Sequence, residues 1–573
     1  MRIPRPRTLW TRTLAVAAAG TLAVGALAAC DATSATSAAT EDAGTTAAEI
    51  SATDNSGRSA QDVLAANLSP DDTAALADDT WDTADEVAVS LDGDTASASG
   101  DGVTVDGSTV TITQPGTYRV SGTLDDGQVV VDSSADGVVR LVLDDADVTS
   151  STGAAVDVQD ADQVSVVLAD GSTNRLEDAQ EYADTTSDNA ANAALYSTAD
   201  LAISGTGALE VVGNANDGIT GKDGLVIAGG DISVTAADDA VRGKDYLVVS
   251  GGTVDVQAGG DGLKSDADDD ATAGYVALTG GDVTVDAASD GVQGFTDVAI
   301  TGGTLTVTRS EEGIEAATIA VSGGDTAITS TDDGLNATVK EAEDSTSDTT
   351  DTTDDTATDD QQAPPQAPAD GEAPADGGQP PADGEMPQGG GGMDAVQEGA
   401  SLTITDGTLH VDAEGDGLDS NGVAAISGGD VVVEGPTNGG NGALDSAGGL
   451  TATGGTLLAV GSSGMAEAPE TDSTQGWVAL TADSTLEAGT EVAVVDADGA
   501  QVATITLTKS AQSVVFSGPE ITDGATYTLT ADGAEVGTAT AGDAPAGGMG
   551  GPGGGQPGQG NQTDQSSSST TTS

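Results

Sequence analysis

Short apolar-polar alternations, cut by glycine and acidic turns, run through most of this chain. A strand of the form apolar-x-Gly-Gly-(Asp/Thr)-apolar-x-Val begins at Ile227, Val249 and Leu278, and returns with small variations at Ile300, Val321 and Ile426. Ile404 begins a copy with Asp406-Gly407 in place of the glycine pair, and Gly454-Gly455-Thr456 is a weaker one. Between these strands sits a second element, acidic-Gly-apolar, at Asp217, Asp261, Asp290, Glu312, Asp333 and Asp416, with Asp239-Ala240-Val241 as its variant. The steps Asp217 to Asp239 to Asp261 are 22 and 22 residues, Asp290 to Glu312 is 22, and Glu312 to Asp333 is 21.

That period is too long for nine-residue calcium rolls and too short for propeller blades of about 40 residues. No stretch between the strands carries an amphipathic helical pattern, which excludes leucine-rich and helical solenoids. Alternation of period two places Val, Ile and Leu inward, and the turns are rich in Gly and Asp. The chain is therefore expected to be all-β, a right-handed parallel β-helix with about 22 residues per coil. Each coil would hydrogen-bond to the next at roughly 4.8 Å.

The pattern also divides the chain. Residues 86–215 hold strand-like runs with looser spacing, and 216–340 hold the clear repeats. Residues 341–398 carry 16 acids, no base and a Pro/Gly/Gln-rich run, the composition of a disordered insert. The repeat resumes at Ser401, so 399–474 continue the helix. Residues 475–541 alternate without the repeat and are expected to cap its open end. The Gly/Pro/Ser/Thr-rich tail, 542–573, is expected to be disordered.

Composition changes this picture at the N-terminus. Arg2, Arg5, Arg7 and Arg12 precede an apolar run from Leu14 to Ala29, the pattern of an export signal. The run ends in Leu27-Ala28-Ala29-Cys30, which resembles the lipobox of bacterial lipoproteins and implies lipidation of Cys30. Residues 31–85 then read as a flexible tether, leaving an extracellular protein held at the membrane by a lipid and monomeric beyond it. Cys30 is the sole cysteine, which excludes intramolecular disulfides and thiolate metal sites.

The formal net charge is −80, or −84 once the four arginines of residues 1–30 are set aside. Such a polyanion does not bind nucleic acid electrostatically; it attracts cations. Stacked carboxylates at the coil spacing repel by roughly 3–4 kcal/mol per pair at an effective dielectric near 20. Bound cations, turn amides or splaying into water must offset this. Oxygen ligands in flexible loops favour Ca²⁺, and Asp217, Asp239, Asp261 and Asp290 form the candidate column. Asp266-Ala-Asp268-Asp-Asp270 thickens the acidity nearby, but Ala271 and Ala277 stand where an EF-hand needs glycine and glutamate. Arg242 and Lys264 follow Asp239 and Asp261 by three residues, and Lys222 and Lys244 follow Asp217 and Asp239 by five. These bases would either pair with the carboxylates of a uronic-acid polymer or neutralise their own aspartates. His410 stands alone, and Gly221-Lys222 lacks the context of a phosphate loop.

Asn214-Ala-Asn-Asp-Gly-Ile219, Asp238-Asp-Ala-Val-Arg-Gly-Lys-Asp245, Gly259-Gly-Asp-Gly-Leu-Lys-Ser-Asp266 and Asn192-Ala-Ala-Leu-Tyr-Ser197 resemble motifs of the carbohydrate-binding, polysaccharide-lyase-like β-helix lipoproteins of clostridia and actinobacteria. The resemblance covers about residues 86–540 apart from the insert. It implies calcium-dependent binding of an acidic polysaccharide such as polygalacturonate, with cellulose as a further ligand. It also implies a calcium role for Asp217, Asp238, Asp239, Asp261 and Asp266. The chain departs from that pattern at Glu311-Glu312, where Asp-Gly is usual. Three functions stay open: a binding module, a pectate-lyase-type enzyme with Arg242 or Lys264 as base, and a structural adhesion protein. The acidic surroundings disfavour the lyase, because they raise the pKa of a base.

Overall fold

The computed structural model describes residues 58–77, 80–187, 189–340 and 396–545. The export signal, Cys30, most of the tether, the insert as far as 395 and the tail from 546 lie outside these residues.

The described chain winds into a parallel β-solenoid of about 12 turns, with about 25 residues per turn. One regular coil consists of Tyr246–Val249, a Gly251-Gly252 corner, Thr253–Ala258, the acidic turn at Asp261, and the short strand Leu263–Ser265. In Thr253–Ala258 the residues Val254, Val256 and Ala258 are buried, while Thr253, Asp255 and Gln257 are exposed. This is the alternation that a pleated strand with one wet face imposes. The coil stacks on the next in parallel register, Leu247 on Val276, Val254 on Val283 and Leu263 on Val292.

The corner depends on glycine. The second glycine of each pair has φ of 106° at Gly230, 87° at Gly252 and 84° at Gly281. A Cβ on Gly252 would also stand 2.7 Å from the Gly230 carbonyl oxygen. Left-handed backbone and close stacking together exclude other residues there. In Thr318–Ser330, Ser401–Ala413 and Val423–Glu434 the strand runs through the corner. These long strands join two faces into a 22-stranded sheet, and the short strands form a separate 13-stranded sheet.

Coil length varies where a loop leaves the stack. The short strands superpose Ile219, Val241, Leu263, Val292, Ile314 and Leu335, steps of 22, 22, 29, 22 and 21 residues. The long step accommodates the loop between Ser265 and Tyr275. Thr318–Ser330 pairs directly with Ser401–Ala413, so stacking continues across the long insert.

One segment closes the solenoid and another straps its outer face. At the C-terminal end Leu450–Gly461 pairs antiparallel with Ala511–Ser517, which pairs with Trp477–Leu486. A four-stranded antiparallel sheet beyond them packs on a second core that includes Val478, Leu480, Phe516 and Leu529. Residues within the span read as tether form two short helices, Ala60–Leu64 and Asp71–Leu76, docked on the outer face of the sheet over the middle coils. Leu76 packs with Ala202, Val226, Tyr246 and Tyr275. Thr73 Oγ1 lies 2.6 Å from the Tyr246 hydroxyl, and the Tyr275 hydroxyl donates to the Leu68 carbonyl at 2.7 Å. Composition alone reads these residues as flexible, because few are large and apolar. Their few apolar side chains find a partner surface that only the stacked coils create.

Candidate functional site

The short-strand register puts the acidic turns in one file. Asp217, Asp239, Asp261, Asp290, Glu312, Asp333 and Asp416 each stand two residues before a superposed apolar residue. The outward residue in the middle of each short strand makes a second file, Arg242, Lys264, Gln293, Glu315, Asn336, Asp419 and Asp445, which the buried Thr220 begins. A short strand buries its first and last residues and turns its centre outward, so the second file faces the solvent edge of the first.

The first four aspartates of the file are buried: Asp217 is 1% exposed, Asp239 and Asp261 3%, and Asp290 6%. Part of their mutual repulsion is offset by turn amides. Asp239 Oδ1 accepts from the Asp261 N–H at 2.9 Å, and Asp261 Oδ1 from the Asp290 N–H at 3.0 Å. Asp333 Oδ1 accepts from the Asp416 N–H at 2.6 Å, and Asp416 Oδ1 from the Gly442 N–H at 2.5 Å. Bases offset another part. Lys264 Nζ bridges Asp239 and Asp261 at 3.0 and 2.8 Å. Arg242 pairs with Asp266 and approaches Asp217 at 3.9 Å.

The charge balance nonetheless fails along the file. Burial, reinforced by Asp239, pushes the Asp217 carboxyl up to about 7. Burial, then Asp261 and Glu315, pushes Asp290 to about 8. Burial, then Glu315 and Asp290, does the same for Glu312, to about 8. Farther along, burial takes Asp416 to about 7 and Asp419 to about 8, with Asp333 adding to both. A buried carboxylate without a compensating charge is costly, so each such group takes up a proton or a cation.

Oxygen atoms suited to a hard cation occur singly on Asp217 and Asp266 and together in one carboxylate cluster. Among the described residues Asp217 Oδ1 and Asp266 Oδ1 are buried and lack a hydrogen-bond partner, although Asp217 Oδ2 accepts from Asn192 and Thr220. Asp290, Glu312 and Glu315 present carboxylate oxygens within 4.8 Å of one another. Lys340 pairs with Glu315, Gln293 donates to Asp290 at 2.7 Å, and Asn336 donates to Glu312 at 3.1 Å. Glu315 carried no signal in the sequence pattern, because its place is fixed by register with Lys264 and Gln293 and not by the acidic-Gly motif.

The remaining sequence candidates divide. Asp238 is exposed beside the file, and Asp268 is half-buried in the loop after Ser265. Arg242 and Lys264 do lie on adjacent coils, but both are committed to aspartates. Burial would lower the Lys264 pKa; Asp261 and Asp239 outweigh it and raise it. Lys222 and Lys244 also occupy adjacent coils, since Gly221 superposes on Gly243. Among the described residues neither has an ion-pair partner within 4.0 Å. Burial, followed by Arg242 and Lys244, lowers the Lys222 pKa. His410 is 53% exposed in its side chain and lies 3.4 Å from Glu434, away from both files.

Fold and site together define a parallel β-solenoid with a stacked acidic file and an adjoining pair of lysines. Residues 106–360 match the family model described as carbohydrate-binding domain-containing protein. A protein of Acetivibrio thermocellus with the same description is 42% identical over 126 residues, which are 22% of this chain and 44% of that relative. The match thus spans less than half of the relative's length. A solved structure described as the polysaccharide lyase-like protein from C. thermocellum is 32% identical, with 45% of this chain and 98% of that one covered, at a TM-score of 0.38.

Proposed function

We propose that this chain is a calcium-dependent module that binds an acidic polysaccharide of the polygalacturonate type at the cell surface, held there by a lipid on Cys30. The family supports carbohydrate as the ligand class. The observation that carries the acidic choice is the pair Lys222 and Lys244: two cations on adjacent coils, without an ion-pair partner among the described residues of a chain of net charge −80. An anionic sugar supplies the charge they lack, by charge-assisted hydrogen bonds. Calcium would be held by Asp217 and Asp266 through their unpartnered oxygens, and by Asp290, Glu312 and Glu315. Bound there, it would neutralise the file and attract the uronate carboxylates, which the bare protein repels.

The test is thermal unfolding of the full chain in calcium and in EGTA, with and without polygalacturonate. A rise with calcium, and a further shift from polygalacturonate only when calcium is present, supports the reading. Absence of any calcium shift removes the ion and leaves a solenoid stalk. One observation favours a second reading, a lyase. A base that removes the proton beside the uronate carboxyl needs a lowered pKa, and Lys222, not Arg242 or Lys264, has one. Ultraviolet-absorbing unsaturated uronides, lost in Lys222→Met, would decide for it.

A further inference from the structure

The solenoid meets its cap at a cleft of about 260 Å³, formed outside the span matched by the family. One wall comes from the turns after Val423–Glu434 and Leu450–Gly461, through Thr437, Ser462 and Ser463. The other comes from the cap, through Thr485, Ser510 and Gln512. The two turns approach closely at their glycines: a Cβ on Gly464 would stand 2.5 Å from the Gly439 carbonyl oxygen. Ser463 donates to Gln512 Oε1 at 3.1 Å, and Gln512 Nε2 donates to the Ala482 carbonyl at 3.1 Å, so the amide orientation is fixed from both sides.

The lining has hydroxyls and an amide but no charged side chain. Thr437 and Thr485 are exposed and Ser510 is half-buried, so their hydroxyls are open to a ligand, each able to donate and accept. The volume lies just below that of pockets for drug-sized ligands, room for a single ring and not a chain. Nothing in the lining would compensate an anion within a strongly negative protein.

We propose that this cleft binds one ring of a neutral sugar, as a site separate from the acidic file and independent of calcium. The lack of an aromatic face places its affinity in the millimolar range. The experiment is ligand-observed saturation-transfer NMR on the full chain in EGTA, using methyl β-glucoside, methyl β-galactoside and glucuronate. Transfer to at least one neutral glycoside is expected, at least tenfold weaker for glucuronate. It should vanish in Thr485→Trp and in Ser463→Leu, both at unchanged melting temperature. Absence of transfer to both glycosides, equal transfer to glucuronate, or transfer that survives in a folded variant would each overturn the proposal. Because EGTA is present throughout, failure here leaves the calcium reading untouched, and failure of that reading leaves this one standing.

Discussion

Lys264 is the counter-ion of the two central aspartates, and Lys264→Met tests how the acidic file is stabilised. The substitution keeps most of the aliphatic stem and removes the ammonium, which lies 3.0 Å from Asp239 and 2.8 Å from Asp261. Both aspartates are 3% exposed and Lys264 is 22% exposed in its side chain, so solvent screens the cluster weakly. Two carboxylates about 4.8 Å apart at an effective dielectric near 20 repel by roughly 3.5 kcal/mol. Removing one member of a buried pair typically costs about 3–5 kcal/mol. The expected loss is therefore about 3 kcal/mol at pH 8 without calcium, and it has a pH signature. Asp239 is already raised, by burial and then by Asp261. Without Lys264 it rises further, so acidification protonates it and removes the repulsion. Urea unfolding of wild type and variant at pH 8 and pH 5 would measure this, with the difference between them shrinking by at least half at pH 5. An equal deficit at both pH values would refute the electrostatic reasoning and assign the loss to packing of the stem.

Other predictions address the rest of the fold. Asp333, Asp416, Asp419 and Glu467 are raised to about 6, 7, 8 and 7, chiefly by burial. Their folded pKa values exceed the unfolded ones, so the folded state binds more protons between about pH 4 and 8, and stability falls as pH rises through that window. The melting temperature in EGTA should accordingly climb from pH 8 to pH 5; a flat or opposite trend would remove uncompensated burial as the cause. Leu76→Ala deletes a strap side chain that is 4% exposed against the solenoid wall, at a cost of about 2–3 kcal/mol. Limited proteolysis should then cut within 58–77 while the solenoid stays resistant, and cleavage no faster than in wild type would count against docking of the strap. Gly252→Val combines a φ of 87° with a Cβ 2.7 Å from the Gly230 carbonyl oxygen. A loss of at least about 2 kcal/mol is expected by urea unfolding, and a neutral result would show that the corner relaxes.

The repeat made the coil, the inward residues and the acidic file legible before any coordinates, because side-chain alternation and turn chemistry are local properties. Even the 29-residue step from Asp261 to Asp290 could be read as a loop, since the pattern resumes in phase after it. What the pattern could not reveal was pairing. Arg242, Lys264, Lys222 and Lys244 look alike in sequence, each a base at a fixed offset from an aspartate. Stacking separates them: the short strand aims Arg242 and Lys264 along the file, where coils above and below supply carboxylates, while Lys222 and Lys244 fall past the strand end.

Glu315 shows the same limit from the other side. It lies outside the acidic-Gly motif, and only parallel register with Gln293 brings its carboxylate to Asp290 and Glu312. The strap at 58–77 and the cleft beneath the cap likewise depend on surfaces assembled from residues more than a hundred positions away, or from two cores meeting. By itself, then, the sequence determined the period, the inward face and the row of charge, all set by interactions within one coil and its copy. The tertiary structure alone decided which charges are neutralised and which are left open, because burial and counter-ion distance are set between coils and not along them.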